Sequence, residues 1–270
     1  IPSADIVVDP KQPSDEFPFK KLSTVSIVYR LALVLLEDKL FAYLNQSFME
    51  LAALGTIADM MPEEDTNKAV IEGGLYSIFF TLRPGLKIII EIAGLKQESP
   101  RTVFQKLSSF LNITEVKNNL TESYLLLSSF SQEEARNLAQ NIWIESQQRY
   151  LEIKDIVQEV VDGLNESPIA IIFEGNVDWS SVLTGAVASR LCNKYRKPSF
   201  IFKIGKEVSR GSVRMPQGLN GVAALMHCSS LLEIYGGHPA AAGFTVKNEN
   251  IDKLRECLIN YFSRTLKLGT

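Results

Sequence analysis

Gly236-Gly237-His238-Pro239-Ala240-Ala241-Ala242-Gly243-Phe244 is the most informative stretch of the chain. Two adjacent glycines let a backbone approach a ligand closely, or take a conformation barred to other residues. The histidine that follows is one of only two in 270 residues. Three alanines, a third glycine and an expected strand, Phe244-Thr245-Val246, come next. Small residues around one imidazole supply what a phosphate-contacting loop needs: free N–H groups, little bulk and a donor side chain. A glycine pair before a histidine also builds tight structural turns. Nine residues in this order are far more specific than the pair.

Working outward, the flanking sequence predicts alternating strands and helices. Ile169 to Phe173 reads as a buried strand, Val182 to Tyr195 as a helix and Ser199 to Ile204 as a strand. Val208 to Arg214 alternates like a half-exposed strand, with Ser212 and Arg214 on one face. Asn220 can cap a helix reaching His227, and a closing helix runs from Asn250 to Leu266. This pattern gives an α/β domain of about 100 residues with a mixed sheet.

Upstream lies a long amphipathic run, Ser131 to Gly163. Ser131 and Glu134 have capping-box spacing, and Ala135, Leu138, Ala139, Ile142, Ile153, Ile156, Val157 and Val160 recur at helical spacing. A continuous helix here would be roughly 48 Å long at about 1.5 Å per residue. Gly163 and Asn165-Glu166-Ser167-Pro168 read as its stop and as a domain boundary. The helix either joins two domains or covers the sheet of one.

The first half is mostly helical. Val7-Val8 reads as a short strand inside a Pro/Lys/Asp-rich segment, residues 1–22. Ser23 can cap a helix to about Leu36, with Val25, Val28, Leu31, Ala32 and Leu35 as its apolar face. Phe48 to Asp59 reads as a second helix, and Thr66 can cap a third. Pro84-Gly85 marks a turn before a short apolar helix, Leu86 to Ala93. Residues 96–130 read as two more helices.

Composition limits the function classes. The chain is 46% hydrophobic and 22% charged, which is globular rather than disordered. Its net charge of −3 excludes a global basic field, so nucleic-acid contact must be local. Cys192, Cys228 and Cys257 are widely spaced and odd in number, and are expected as reduced cytoplasmic thiols. The longest apolar run, Val25 to Leu36, is too short for a membrane span and contains Arg30. Ile1-Pro2-Ser3-Ala4-Asp5 runs straight into Val7-Val8 with neither an initiating Met nor a signal-peptide pattern, which reads as entry into a domain already under way.

A second stretch, Leu51 to Pro62 (LAALGTIADMMP), ends on Asp59. Together with the glycine–histidine stretch it resembles the RecJ family of the DHH phosphoesterase superfamily, whose members degrade single-stranded DNA. The first stretch resembles the loop of the family's DHHA1 substrate-binding domain. The second resembles the last metal-ligand motif of the DHH catalytic domain, with Asp59 in the ligand position. Weaker matches extend across most of the chain.

The resemblance implies residues 1–130 as the C-terminal part of a DHH domain, 131–166 as a connecting helix and 167–270 as DHHA1. It implies a protein that removes nucleotides from the 5′ end of single-stranded DNA with Mn2+ or Mg2+, in DNA repair and recombination. Single-strand-binding or replication proteins are further partners, and the location is the cytoplasm. Hard cations on carboxylates suit phosphodiester hydrolysis, where two metals orient water and neutralise the leaving oxygen. One carboxylate cannot build such a site. The companion Asp-x-Asp and Asp-His-His motifs are absent from these 270 residues, so no bound cation and no hydrolysis are expected of them alone.

His238, with Gly236 and Gly237, leads the candidate substrate contacts. Arg214 and Ser212 match the family's Ser-x-Arg strand; a guanidinium there suits bidentate phosphate contact, or a surface salt bridge. Arg210 reads as an exposed strand residue. Asn220 is a helix cap first and a ligand contact second. Gly185 and Arg190 match a family helix, where Gly185 serves either close backbone approach or helix–strand packing. One segment departs from the family: Pro100-Arg101 is followed by Thr102-Val103-Phe104-Gln105, where RecJ proteins carry a Pro-Arg-Ile-Asn-Ala-Ala-Gly-Arg-like sequence. That departure leaves open a non-catalytic scaffold that binds DNA or replication proteins. A small-nucleotide phosphodiesterase of the same superfamily is the other alternative, since it shares Gly-Gly-His.

Overall fold

The computed structural model describes residues 4–39, 41–112, 116–117, 120–164 and 170–267. The chain divides into two compact units, Ile1–Gln147 and Gln148–Thr270.

The first unit is helical. It contains α1 (Thr24–Leu36), α2 (Ala42–Ala58), α3 (Asp65–Ser77), α4 (Pro84–Ile92) and α5 (Pro100–Leu111). A minimal antiparallel pair, β1 (Val116–Lys117) and β2 (Leu120–Thr121), then leads into α6 (Glu122–Ser128). The core is built on Ala52, Ala53, Ile78, Leu86, Ile89 and Phe104, with Leu107, Leu126 and Ile142 packed against them.

Ser23 caps α1 as expected, accepting from Ser26 N. The apolar face expected for that helix is not the buried one: Val28, Leu31 and Leu35 are exposed, and Ser26 and Tyr29 are buried. Hydroxyls explain the difference. Thr56 Oγ1 lies 2.8 Å from both Ser23 Oγ and Ser26 Oγ and donates to Ala52 O, which seats the Ser26 side of α1 on α2. The start of α2 precedes the expected Phe48 by six residues, and Tyr29 Oη holds that first turn by donating to Asn45 Oδ1 at 2.7 Å. Pro84-Gly85 is the first turn of α4 rather than a separate turn, because Pro at the opening helical position loses no intrahelical bond. Val7-Val8 forms no strand.

Helix α7 (Gln132–Gly163) is continuous over 32 residues. Ser131 Oγ accepts from Glu134 N, half of the expected capping box. The Glu134 carboxylate instead takes the hydroxyl of Ser129. The expected stop at 165–168 lies outside the described residues.

The second unit is built on a five-stranded mixed sheet. In chain order it contains β3 (Ile172–Asn176), α8 (Thr184–Tyr195), β4 (Ser199–Lys203), β5 (Val208–Arg214), α9 (Gly221–His227), β6 (Leu232–His238), β7 (Ala241–Lys247) and α10 (Ile251–Lys267). The sheet order is β3-β4-β5-β7-β6, parallel between β3 and β4 and antiparallel elsewhere.

Alternation gives the sheet two different faces. Phe173, Phe200, Phe202, Val213, Phe244 and Val246 point to one face and pack with α9 and α10 through Leu225, Leu254 and Phe262. On the other face Ile172 and Ile201 pack with α8 and the second part of α7, through Val187, Leu191, Ile153 and Val160. That cover does not reach β6 and β7, whose residues on this face remain accessible.

Gly236, Gly237 and His238 belong to strand β6, not to a loop, because β7 pairs with all three: Gly236 opposite Gly243, Gly237 opposite Ala242 and His238 opposite Ala241. Cys228 and Cys257 are joined by a disulfide, not held as thiols. The end of α9 and the middle of α10 lie on the same sheet face, which brings their Cα atoms to 6.1 Å. Cys192 is free and buried.

Candidate nucleic-acid interface

The register of the sheet sets three rows on its accessible face. Arg214, Ala241 and His238 form one, Ser212, Gly243 and Gly236 the next, and Arg210, Thr245 and Ile234 the third. Adjacent strands lie about 4.8 Å apart, so Arg214 and His238 stand about 10 Å from one another across Ala241. Ala241, Gly243 and Gly236 give the space between them a nearly bare floor. A Cβ on Gly236 would meet nothing within 4 Å. Gly237 is different: its φ is 135°, and a Cβ there would lie 2.6 Å from both Ala241 O and Ala242 Cα. One glycine of the pair is required by the backbone, and the other faces open space.

The turn after β6 is tied down by its carbonyls. Gly221 N donates to Pro239 O at 2.8 Å and Met215 N to Ala240 O at 3.0 Å. These bonds hold His238 near the start of α9. Asn220 is the cap of that helix, its Oδ1 accepting from Ala223 N at 3.0 Å.

Arg214 is the chemically distinctive member. Its side chain is partly buried, and Nη1 donates to Val213 O at 2.9 Å. Among the described residues no carboxylate pairs with it. Burial pushes its pKa down from the ordinary arginine value, with the Cys192 thiol pulling the other way. An arginine stays charged through any such shift, so the site holds a cation without a counter-ion. Helix α8 starts directly over it: a Cβ on Gly185 would lie 3.1 Å from Arg214 Nη2 and 3.5 Å from Ser212 Oγ. Ser212 Oγ lies 2.9 Å from Thr184 Oγ1, which also donates to Ser181 O. Thr184 is therefore part of the same cluster. Its sequence signal was a hydroxyl residue before a glycine at a helix start.

Arg190 is not brought to this cluster. Its guanidinium stacks 4.6 Å above the Tyr150 ring of α7. Five residues separate it from Gly185, which turns it well away around α8.

In the first unit Asp59 is exposed and follows the last residue of α2, its N–H bonded to Gly55 O at 2.9 Å. Beside it a cavity of about 420 Å3 is lined by Ile57, Met60, Met61, Glu63, Arg101 and Gln105 among others. The divergent segment forms the first turns of α5, where Ser99 is the cap, Val103 and Phe104 are buried and Arg101 pairs with Glu63. Among the described residues no three of His, Cys, Asp or Glu come close enough to hold a metal ion. Asp59 is one ligand and needs others, so no catalytic step is assigned to a cation here.

Residues 168–264 match the DHHA1 domain. A RecJ single-stranded-DNA-specific exonuclease of Bacillus subtilis is 32% identical over 98% of this chain. Residues 168–264 form a DHHA1 domain, and the chain is similar to RecJ exonucleases over nearly its whole length. RecJ of Haemophilus influenzae is 28% identical over 93% of the chain. The chain spans 34% of the first of these relatives and 47% of the second. The fold is that of RecJ from Thermus thermophilus, solved in complex with Mn2+: the TM-score is 0.80 at 24% identity, over 93% of this chain and 37% of that one. A Mg2+ complex of the same protein gives 0.78. Among the described residues no helix is long and apolar enough to cross a membrane.

Proposed function

We propose that this chain is the strand-holding part of a RecJ-like exonuclease, one that hydrolyses phosphodiester bonds of single-stranded DNA with Mn2+ or Mg2+. Residues 1–130 would close the catalytic domain and contribute Asp59 as one metal ligand. The 131–166 segment would connect it to the DHHA1 domain, residues 167–270. The accessible sheet face holds backbone phosphates between Arg214 and Ser212 on one side and His238 on the other, above Gly236. Gly237 and Asn220 shape that face, and Gly185 lets α8 start against it. Arg190 serves packing against α7. The location is the cytoplasm, and single-strand-binding or replication proteins are partners of the whole protein.

One observation carries this reading: a partly buried arginine without a carboxylate partner, on an open face floored by glycine and alanine. A guanidinium fork in that position suits a phosphate, and sequence-independent backbone contact is what an exonuclease needs from its holding surface. Fluorescence anisotropy of labelled single-stranded oligonucleotide, at several salt concentrations, is the test. Arg214→Ala and His238→Ala should each weaken binding without unfolding the protein. Arg214→Ala should also flatten the salt dependence by about one phosphate's worth. Equal binding by wild type and both variants would place the DNA surface elsewhere.

A further inference from the structure

Beyond Arg214 the same sheet face continues into a second cavity, of about 450 Å3, lined by Ser181, Lys203, Lys206, Glu207, Val208 and Arg210 with Gly205. Strand β5 places Arg210, Ser212 and Arg214 on one side at two-residue steps, about 7 Å each. The cavity therefore lies two steps along the strand from Arg214. Ser181 joins the two regions, because its carbonyl accepts from Thr184 Oγ1 at 2.9 Å.

The charges in this cavity are poorly explained by folding alone. Lys203 of β4 stands directly opposite Arg210 of β5. Like charges in direct cross-strand register repel and destabilise a sheet. Asn176 and Thr245 flank the pair in the same row, and neither is charged. Among the described residues Lys203, Lys206 and Arg210 make no ion pair. Glu207 lines the same cavity, so three cations face one carboxylate. Glu159, beyond Asn176, is occupied by neutral donors, Asn176 Nδ2 at 2.7 Å and Trp179 Nε1 at 2.9 Å.

We infer that Lys203 and Arg210, with Lys206, form a second anion site that takes a backbone phosphate further along the single strand held at Arg214. This rests on the proposed function above and adds to it a second point of contact with the strand. A strand too short to span from His238 and Arg214 to Arg210 gains nothing from the second site, whereas a longer strand bridges both. The repulsion between Lys203 and Arg210 is relieved when phosphate lies between them.

The test uses the full chain and 12-nucleotide single-stranded DNA, titrated by anisotropy at several salt concentrations. Three proteins are compared with wild type: Lys203→Gln with Arg210→Gln, Arg214→Gln alone, and Lys194→Gln with Lys253→Gln as a control for net charge. The Lys203/Arg210 variant should bind on the order of tenfold more weakly at low salt, and its log–log salt slope should be shallower by about 0.7, the value for one phosphate. Its melting temperature at low salt should equal or exceed that of wild type, because a repulsive pair has been removed. The control should bind as wild type does. If Arg214→Gln weakens binding but the Lys203/Arg210 variant matches the control in affinity and slope, the second site is wrong and the first stands. If neither variant departs from the control, the proposed DNA face itself is wrong.

Discussion

Replacing each glycine of the Gly236-Gly237 pair by alanine separates what the fold requires from what a ligand requires. At Gly237 the φ of 135° lies where alanine is strained, at about 1–3 kcal/mol. The new methyl would also stand 2.6 Å from Ala241 O and Ala242 Cα, backbone atoms of β7 that no rotamer change can move. Overpacking of that kind adds about 1–3 kcal/mol, for a total of about 2–6 kcal/mol. A unit the size of Gln148–Thr270 loses about 4 °C of melting temperature per kcal/mol. Gly237→Ala should therefore melt roughly 8–24 °C below wild type. At Gly236 a methyl meets nothing within 4 Å, so Gly236→Ala should melt at or slightly above wild type, having lost glycine's unfolded-state freedom. Its methyl rises into the space proposed for the phosphate, and binding of single-stranded DNA should fall. Differential scanning calorimetry and anisotropy on both variants make the comparison. Gly236→Ala melting as low as Gly237→Ala, or binding DNA as tightly as wild type, would refute the division of roles.

Three further outcomes are expected. Incubated with Mn2+ and single-stranded DNA, the purified chain should release no nucleotides, because Asp59 is a lone candidate ligand among the described residues; Mn2+-dependent release that Asp59→Ala abolishes would contradict this. Cys257→Ser should cost about 3–4 kcal/mol, the chain-entropy value for the 29-residue separation, and thermal melts with and without reductant should differ for wild type and coincide for the variant. Burial pushes the Glu174 carboxyl above the usual carboxylate range although Arg255 at 3.1 Å pulls it down. A carboxyl whose folded pKa is raised stabilises below its unfolded pKa and loses that contribution as pH rises through the folded value. Glu174→Gln should accordingly gain melting temperature over wild type from about pH 5 to 8 and not at about pH 3.5; a gain confined to low pH would mean that the ion pair outweighs burial.

How much was legible depended on where one face of an element is buried. Strand β5 could be bounded to the residue because Ser209 and Val213 sink into a core while Arg210, Ser212 and Arg214 do not. The same logic failed for β6. Its Leu232–His238 sequence is accessible along most of its length, so no alternation marks it as a strand, and its pairing comes from β7, a partner in space. Helix α1 misled for the opposite reason. It is apolar nearly all round, and three hydroxyls, beside Val25 packed on Gly55, mark the side that meets α2. The disulfide was illegible because it depends on the docking of α9 and α10. At the candidate site, residue types could be named from the sequence, but the unpaired state of Arg214 and the distant position of Arg190 exist only in three dimensions.

The two-sided character of the sheet has a consequence for how such a protein can diversify. On β7 the residues of the phenylalanine-packed side, Phe244 and Val246, cannot change without loss of stability, whereas their chain neighbours Gly243 and Thr245 lie beyond the cover of α8 and α7. Adjacent codons are thus under unrelated constraints. Substitutions at 210, 236 and 245 can retune which strand is held, and how tightly, while leaving the folding equilibrium nearly untouched. A one-residue slip of β5 is the converse case: it would expose Val213 and drive Arg214 into the aromatic core, so misregistration cannot yield a folded protein with altered recognition.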